Sequence, residues 1–235
     1  MSVLNDSKLE VFLDALHAQS AGQQDAIDVY FRRRIAEGTL SWDGFDGETN
    51  AFFADKMVAL EKDKAEYCYA LCRALRATRV VEAGTSFGVS TLYLAAAVRD
   101  NIGLKQRSDG PSNEVGGTVI ATEYEAEKAK IARRNFAAAG LAQYIDLREG
   151  DLNDTLKTIE GPVDFMLLDI WTEAVMPAIT NVAPHLRPGA IVIADNTISA
   201  RRGYEPYFAF LADPANRMRT MTLPFAGGLE MSVRI

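Results

Sequence analysis

The stretch VVEAGTSFGVS, Val80–Ser90, decides how the chain folds. Val80–Ala83 is a short run of apolar residues around one acid and reads as a buried strand; Gly84 and Gly88 bracket a turn, and Val89–Val98 continues as a helix. A strand that passes through a glycine turn into a helix leaves the first backbone N–H groups of that helix free and facing outward. Such amides attract a carboxylate or a phosphate. The spacing G-x-x-x-G is not the G-x-G-x-x-G of dinucleotide binders, which weakens a nicotinamide or flavin reading. Taken alone, a tight strand-to-helix connection without a ligand remains an alternative.

Downstream, short apolar runs alternate with helical segments, the pattern of βαβ units on a parallel sheet. Further strands are expected at Thr118–Glu123, Tyr144–Arg148, Val163–Asp169 and Ala190–Asp195, with helices at Ala126–Ala139, Leu152–Ile159 and Glu173–Leu186. Gly140 sits where a left-handed residue would end the second of the crossover helices. The segment Lys105–Gly117, KQRSDGPSNEVGG, lacks periodicity and is expected to be a surface loop. Met218–Leu223 and Leu229–Ile235 are joined by Pro-Phe-Ala-Gly-Gly with no helix between them, so an antiparallel pair should close the sheet.

Upstream, Asp6–Arg76 is strand-poor. Apolar residues recur at helical spacing through Leu9, Phe12, Leu13 and Leu16, and again through Ile27, Tyr30, Phe31 and Ile35. The polar break Ser41–Gly47 separates two helices from a third region, Asn50–Arg76, with room for two more. The Arg32-Arg33-Arg34 run reads as a solvated helix face. Residues 1–76 are therefore expected to be a helical extension packed on a catalytic domain at 77–235.

Composition narrows the function. Among 235 residues, 25 Lys and Arg against 32 Asp and Glu leave a net charge of -7, so the basic field that non-specific nucleic-acid binding needs is missing. The longest stretch without a charge, Ala83–Val98, is interrupted by Gly and Ser and is too short for the ~20 apolar residues of a spanning helix. Charges at Asp6, Lys8, Glu10 and Asp14 speak against a signal peptide, and a cytoplasmic protein is expected. Cys68 and Cys72, four apart, suit neither a disulfide framework nor a CxxC motif and read as reduced core thiols.

Acids at strand ends carry the chemistry. Glu123 ends the second strand, where a carboxylate can accept both hydroxyls of a ribose or simply cap the next helix. Asp151 can face an adenine amino group or cap the helix from Leu152. Asp169 ends Val163-Asp-Phe-Met-Leu-Leu, and Asp195-Asn196 ends Ala190-Ile-Val-Ile-Ala, two strands expected to lie side by side. Two carboxylates and an amide oxygen are three hard donors, suited to an octahedral Mg²⁺ that keeps positions for water or substrate.

With those motifs in order, the chain from about Val58 to Ile235 resembles the cation-dependent O-methyltransferases, the family of catechol and caffeoyl-CoA O-methyltransferases. That resemblance implies an α/β class I methyltransferase fold, a Rossmann-like seven-stranded sheet with an antiparallel last strand and an N-terminal helical extension. It implies that Gly84, Thr85, Ser86, Gly88 and Ser90 hold the methionine part of S-adenosylmethionine, with Glu82 supporting the turn and Leu60 lining the pocket. Glu123 would take the ribose, with Tyr124, Asp151 and Trp171 around the adenine. Asp169, Asp195 and Asn196 correspond to the metal ligands, Asp169 bordering the cofactor as well. The implied partner is a small-molecule acceptor with vicinal oxygens. Members of the family often dimerise, and the helical preface could serve a homodimer.

One position departs from the family. Three residues after Asp169, where the catechol enzymes have a lysine base, stands Thr172, whose hydroxyl is too weak a base near neutral pH. His185, at the far end of a helix, and His17, in the helical preface, read as surface or packing residues and offer no replacement base. The departure keeps open an N-methyltransferase, a non-catechol acceptor, or a protein that binds the cofactor without chemistry. An acceptor wall is expected from Trp42, Phe45, Phe52 and Phe53 and from Arg201, Arg202, Tyr204 and Tyr207.

Overall fold

The computed structural model describes residues 3–39, 47–109 and 116–235, the side chains of 107–109 excepted. Four helices come first: α1 (Ser7–Ala21), α2 (Gln24–Ala36), α3 (Gly47–Phe53) and α4 (Lys62–Ala74). Alternating elements follow as β1 (Arg79–Ala83), α5 (Val89–Asp109), β2 (Thr118–Glu123), α6 (Ala126–Ala138), β3 (Ile145–Glu149), α7 (Leu152–Thr155), β4 (Val163–Leu168), α8 (Thr172–Val182) and β5 (Leu186–Asp195). Helix α9 (Glu205–Ala212) and the hairpin β6 (Met218–Leu223) and β7 (Leu229–Arg234) complete the chain.

The strands form one sheet in the order β3-β2-β1-β4-β5-β7-β6. β1 to β5 run parallel, and β7 lies antiparallel between β5 and β6. Because successive side chains of a strand point to opposite faces, each strand feeds two cores. Val80, Phe165, Leu167, Ile191 and Ile193 pack with α1, α4, α5 and α6, whereas Val81, Met166, Leu168, Val192 and Ala194 pack with α8 and α9. Both faces of β1, β2, β4 and β5 are covered, which is why these strands are largely apolar, whereas the edge strand β3 alternates and has a single buried residue, Leu147. In α1 the buried Leu9, Leu13 and Leu16 join the first of those cores, so the helical preface shares its packing with the sheet.

The structure corrects several expectations. Helix α5 continues to Asp109, so Lys105–Asp109 is helical and not loop; residues 110–115 lie outside the described residues. Strand β5 starts at Leu186, four residues early, because Leu186 already pairs with Val163. The register with β4 shifts before Ile191 meets Phe165, in a segment holding Pro188, which has no N–H for the ladder, and Gly189 at φ +80°. Helix α7 is a single turn ending at Thr155. Arg34 is not on a solvated face: it is 2% exposed, donates to the Tyr30 hydroxyl and the Thr39 carbonyl, and pairs with Glu48 at 2.9 Å. Gly140 does take φ +67°, just after α6. Cys68 and Cys72 are buried free thiols, and burial pushes both above the ordinary thiol range.

Candidate functional site

Hydrogen bonds beyond the ladders fix the carboxyl ends of the parallel strands to one another. Thr85 N–H donates to Thr122 O, Asp169 N–H to Ala83 O and Gly150 N–H to Glu123 O, at 3.0, 3.0 and 2.9 Å. The rim so formed opens into a cleft of about 870 Å³, lined by the turn Gly84–Phe87, by Glu123–Glu125 and by Asp151, Asp169, Trp171, Thr172 and Asn196.

The turn after β1 is shaped for a close ligand. Gly84 has φ +95°, and a Cβ there would stand 2.0 Å from the Asp169 carbonyl oxygen, so only glycine lets the loops after β1 and β4 touch. Ser86 is also left-handed, at φ +49°. Its N–H donates to the Glu123 carboxylate at 2.6 Å, while Glu125 N–H donates to the other oxygen at 2.9 Å. Glu123 is thereby anchored at the cleft edge, and burial raises its pKa against the pull of those bonds. The Ser86 hydroxyl oxygen is buried with no partner among the described residues.

Glu82 lies beneath the turn, fully buried. One carboxylate oxygen accepts from the Thr91 and Thr85 hydroxyls; the other, Oε1, has no partner among the described residues. Burial pushes its pKa to about 7. Orphaned polar atoms, one on the cleft-lining Ser86 and one buried just behind it on Glu82, call for a polar partner.

The other rim holds the acids of β4 and β5. Burial, followed by the charges of Asp195, Glu82 and Glu61, drives the Asp169 carboxyl well above the ordinary range. Asp195 is 2% exposed, and burial raises it to about 6 although Lys64 opposes the shift. Lys64 Nζ donates to Asp195 Oδ1 at 2.6 Å and pairs with Glu61 at 2.8 Å, and Lys64 itself is 1% exposed. The Asn196 amide nitrogen donates to Asp195 Oδ2 at 3.1 Å. Among the described residues no group of three or more His, Cys, Asp or Glu side chains is placed to hold a metal; the set here is two carboxylates and one amide.

Most of the expected site residues meet in this cleft: Gly84, Thr85, Ser86, Ser90, Glu123, Tyr124, Asp151, Asp169, Trp171, Thr172 and Asn196 all line it. Asp151 also caps α7, accepting from Asn153 N–H at 2.7 Å. Leu60 does not line the cleft; it is 2% exposed in the core, and the preface presents Met57, Val58 and Ala59 instead. Gly88 stands behind the turn against the Phe136 ring. On the acceptor side, Phe53 meets Trp171 edge-on at 5.5 Å between ring centroids, and Phe52 stacks on Tyr30 at 4.0 Å. Tyr204 borders the cleft, whereas Tyr207 is buried among the residues packed on α9. Arg201 lies over the Phe208 ring, and Arg202 lines a separate hollow beside Thr172. Trp42 and Phe45 lie outside the described residues. Sequence reasoning missed Lys64 and Lys128. Lys128 lines the cleft, and burial lowers its pKa against the charges of Glu123, Glu125 and Asp55.

The sequence profile of a methyltransferase domain matches residues 81–197, from the second residue of β1 to just past Asn196. Residues 81–197 are thus similar to a methyltransferase domain. A catechol O-methyltransferase of Mycobacterium tuberculosis is 32% identical over 142 residues, 60% of this chain and 58% of that protein. A second protein of that name, from Niastella koreensis, is 26% identical over 149 residues, 60% of this chain and 59% of its own length. The matched part of this chain thus spans less than two thirds of either relative. Among solved structures, an O-methyltransferase of Bacillus cereus in complex with SAH aligns with a TM-score of 0.64 at 22% identity, over 94% of this chain and 100% of that one. The class I methyltransferase fold is common to both. No helix among the described residues is long and apolar enough to cross a membrane.

Proposed function

We propose that the chain transfers a methyl group from S-adenosylmethionine to an oxygen of a small molecule with two vicinal oxygens, aided by a divalent cation such as Mg²⁺. In this reading residues 77–235 are the catalytic part and residues 1–76 an extension that walls the acceptor side. The observation that carries it is a glycine turn over unpartnered polar atoms beside a cleft that Asp169 and Asn196 also line, with the charge of the buried Asp195 raising Asp169 from behind.

Glu82 Oε1 and the Ser86 hydroxyl would receive the amino-acid part of the donor and Glu123 its ribose, with Tyr124 and Trp171 offering aromatic surfaces to the adenine. The cation fits the rim on chemical grounds: Asp169 is held above its ordinary pKa partly by Asp195, and such a pair is relieved by positive charge. Asp169, Asp195 and Asn196 would hold it, provided the Asn196 amide turns over to present its oxygen. Bound there, a divalent cation would supply the charge that keeps an acceptor hydroxyl ionised near neutral pH. The protein's own work is alignment: donor and acceptor are held for an in-line displacement.

The test is transfer from labelled S-adenosylmethionine to a panel of diphenols, with and without EDTA. Metal-dependent transfer supports the reading, and absence of transfer to any diphenol with the cation present rejects it. A second reading, transfer to nitrogen or to a non-catechol acceptor, is favoured by Thr172, and turnover that survives EDTA would select it.

Two further results are expected. Because Glu82 ionises near pH 7, its attraction for the donor's ammonium should grow as pH rises, tightening S-adenosylhomocysteine binding about 10-fold between pH 6 and 8 and levelling off above. Glu82→Gln should bind more weakly and without that slope in calorimetry. The same raised pKa makes the empty protein lose stability as pH climbs from 4.5 to about 7, since the unfolded chain releases the proton first. Thr172→Lys should restore a base at the cleft edge and raise diphenol turnover about 10-fold or more; unchanged turnover would show that the acceptor proton leaves by another route.

A further inference from the structure

We infer that Lys64 is a positioning residue of the acceptor site: a built-in positive charge, fixed on the inner oxygen of Asp195, that makes the rim favour an anionic acceptor. This rests on the metal reading given above.

Lys64 stands in the first turn of α4, 131 residues before Asp195, yet its ammonium lies 2.6 Å from Asp195 Oδ1 with both groups almost wholly buried. Neither Lys64 nor Asp195 lines the cleft, which Asp169 and Asn196 do, so its charge reaches the acceptor from behind the Asp195 carboxylate. A lysine is costly to bury, and this one is buried between two carboxylates, Asp195 at 2.6 Å and Glu61 at 2.8 Å. Glu61 takes the outward side of the ammonium and is about half exposed, so solvent screens much of its charge.

The count of charges gives the consequence. Asp169 and Asp195 balance a divalent cation, and Asn196 adds nothing. Lys64 adds a positive charge that the half-exposed Glu61 offsets only in part, so it tilts the loaded rim toward the sign that favours an acceptor oxyanion. The same ammonium repels the cation. Lys64 therefore trades affinity for the cation against affinity for the ionised acceptor, and the two must respond to its loss with opposite signs. A purely structural lysine would loosen both together.

The experiment uses the full chain, Mn²⁺ as the cation read by electron paramagnetic resonance, and 4-nitrocatechol, whose visible absorption reports its ionised bound form. Lys64→Met should bind Mn²⁺ about 10-fold more tightly and 4-nitrocatechol about 10-fold more weakly than the unmodified protein. Lys64→Arg, which keeps the charge, should restore both values. Glu61→Gln, which strips the counter-charge from Lys64, should shift both two- to threefold the other way, and it decides the matter if Lys64→Met fails to fold. Shifts of the same sign, or none, overturn the inference. If the unmodified protein itself binds no Mn²⁺, the metal reading fails first and takes this inference with it; Mn²⁺ binding that is insensitive to Lys64 and Glu61 sinks only the inference.

Discussion

Asp169→Ala should lower cation-dependent transfer to a diphenol by about 10³-fold, equivalent to ~4 kcal/mol of transition-state stabilisation, while leaving the protein at least as stable as before. The two halves of that expectation have one cause. Asp169 is pushed far above its ordinary pKa by burial and then by Asp195, Glu82 and Glu61, so the fold tolerates this carboxylate at a cost and gains nothing from its charge. Removing it should relieve the rim by ~1 kcal/mol and raise Tm by about 2–4 °C. The backbone bond from Asp169 N–H to Ala83 O survives the substitution, so the loop after β4 should keep its place. Thermal melts and initial rates on the same preparation check both halves. Activity within threefold of the unmodified protein would remove Asp169 from the acceptor site.

Gly84→Ala should do the reverse, damaging the fold and the donor pocket together. The added methyl would sit 2.0 Å from the Asp169 carbonyl oxygen and 2.5 Å from Ile170 Cγ2, at a φ of +95° that an L side chain resists. Neither neighbour is the free end of a flexible chain, so the loops after β1 and β4 must separate. A loss of ~3–5 kcal/mol is expected, with Tm lower by about 10 °C and S-adenosylhomocysteine bound at least 100-fold more weakly. Gly140→Ala is the matched control: φ is +67°, but nothing lies within 4 Å, so only the ~1 kcal/mol of backbone strain applies. Equal losses at the two positions would mean that the close approach of the two loops does not matter.

Strand ends were legible in the sequence because parallel strands buried on both faces must be apolar and must stop at a polar residue. That rule locates Glu123, Asp169 and Asp195 from the sequence alone. The glycine turn was legible for a similar reason: few residues fit where a strand turns sharply into a helix. The start of β5 was not, since Arg187-Pro-Gly189 has the composition of a turn and only pairing with Val163 makes it strand. The extension of α5 over Lys105–Asp109 was also hidden, because a polar helical end and a polar loop share one composition.

Arg34 and Lys64 failed for a deeper reason. Both belong to helices whose neighbouring charges face water, and a cation is read as solvated unless its partner is visible. Glu48 is 14 residues from Arg34, and Asp195 is 131 from Lys64. No spacing rule spans such distances; only the fold brings the partners together. Leu60 was misplaced by a smaller error, a shift along the segment before α4 that sends it into the core and its predecessors into the cleft.

The ion pair between Lys64 and Asp195 also sets a limit on grafting. The stretch matched by the methyltransferase profile begins at Val81, so a piece excised at that boundary would carry the carboxylate away from its ammonium. A buried acid stripped of its counter-ion is among the costlier defects an engineer can introduce, ~3–5 kcal/mol for the lost partner. Chimeras that exchange the first helices of two such proteins should therefore inherit position 64 from the same parent as position 195.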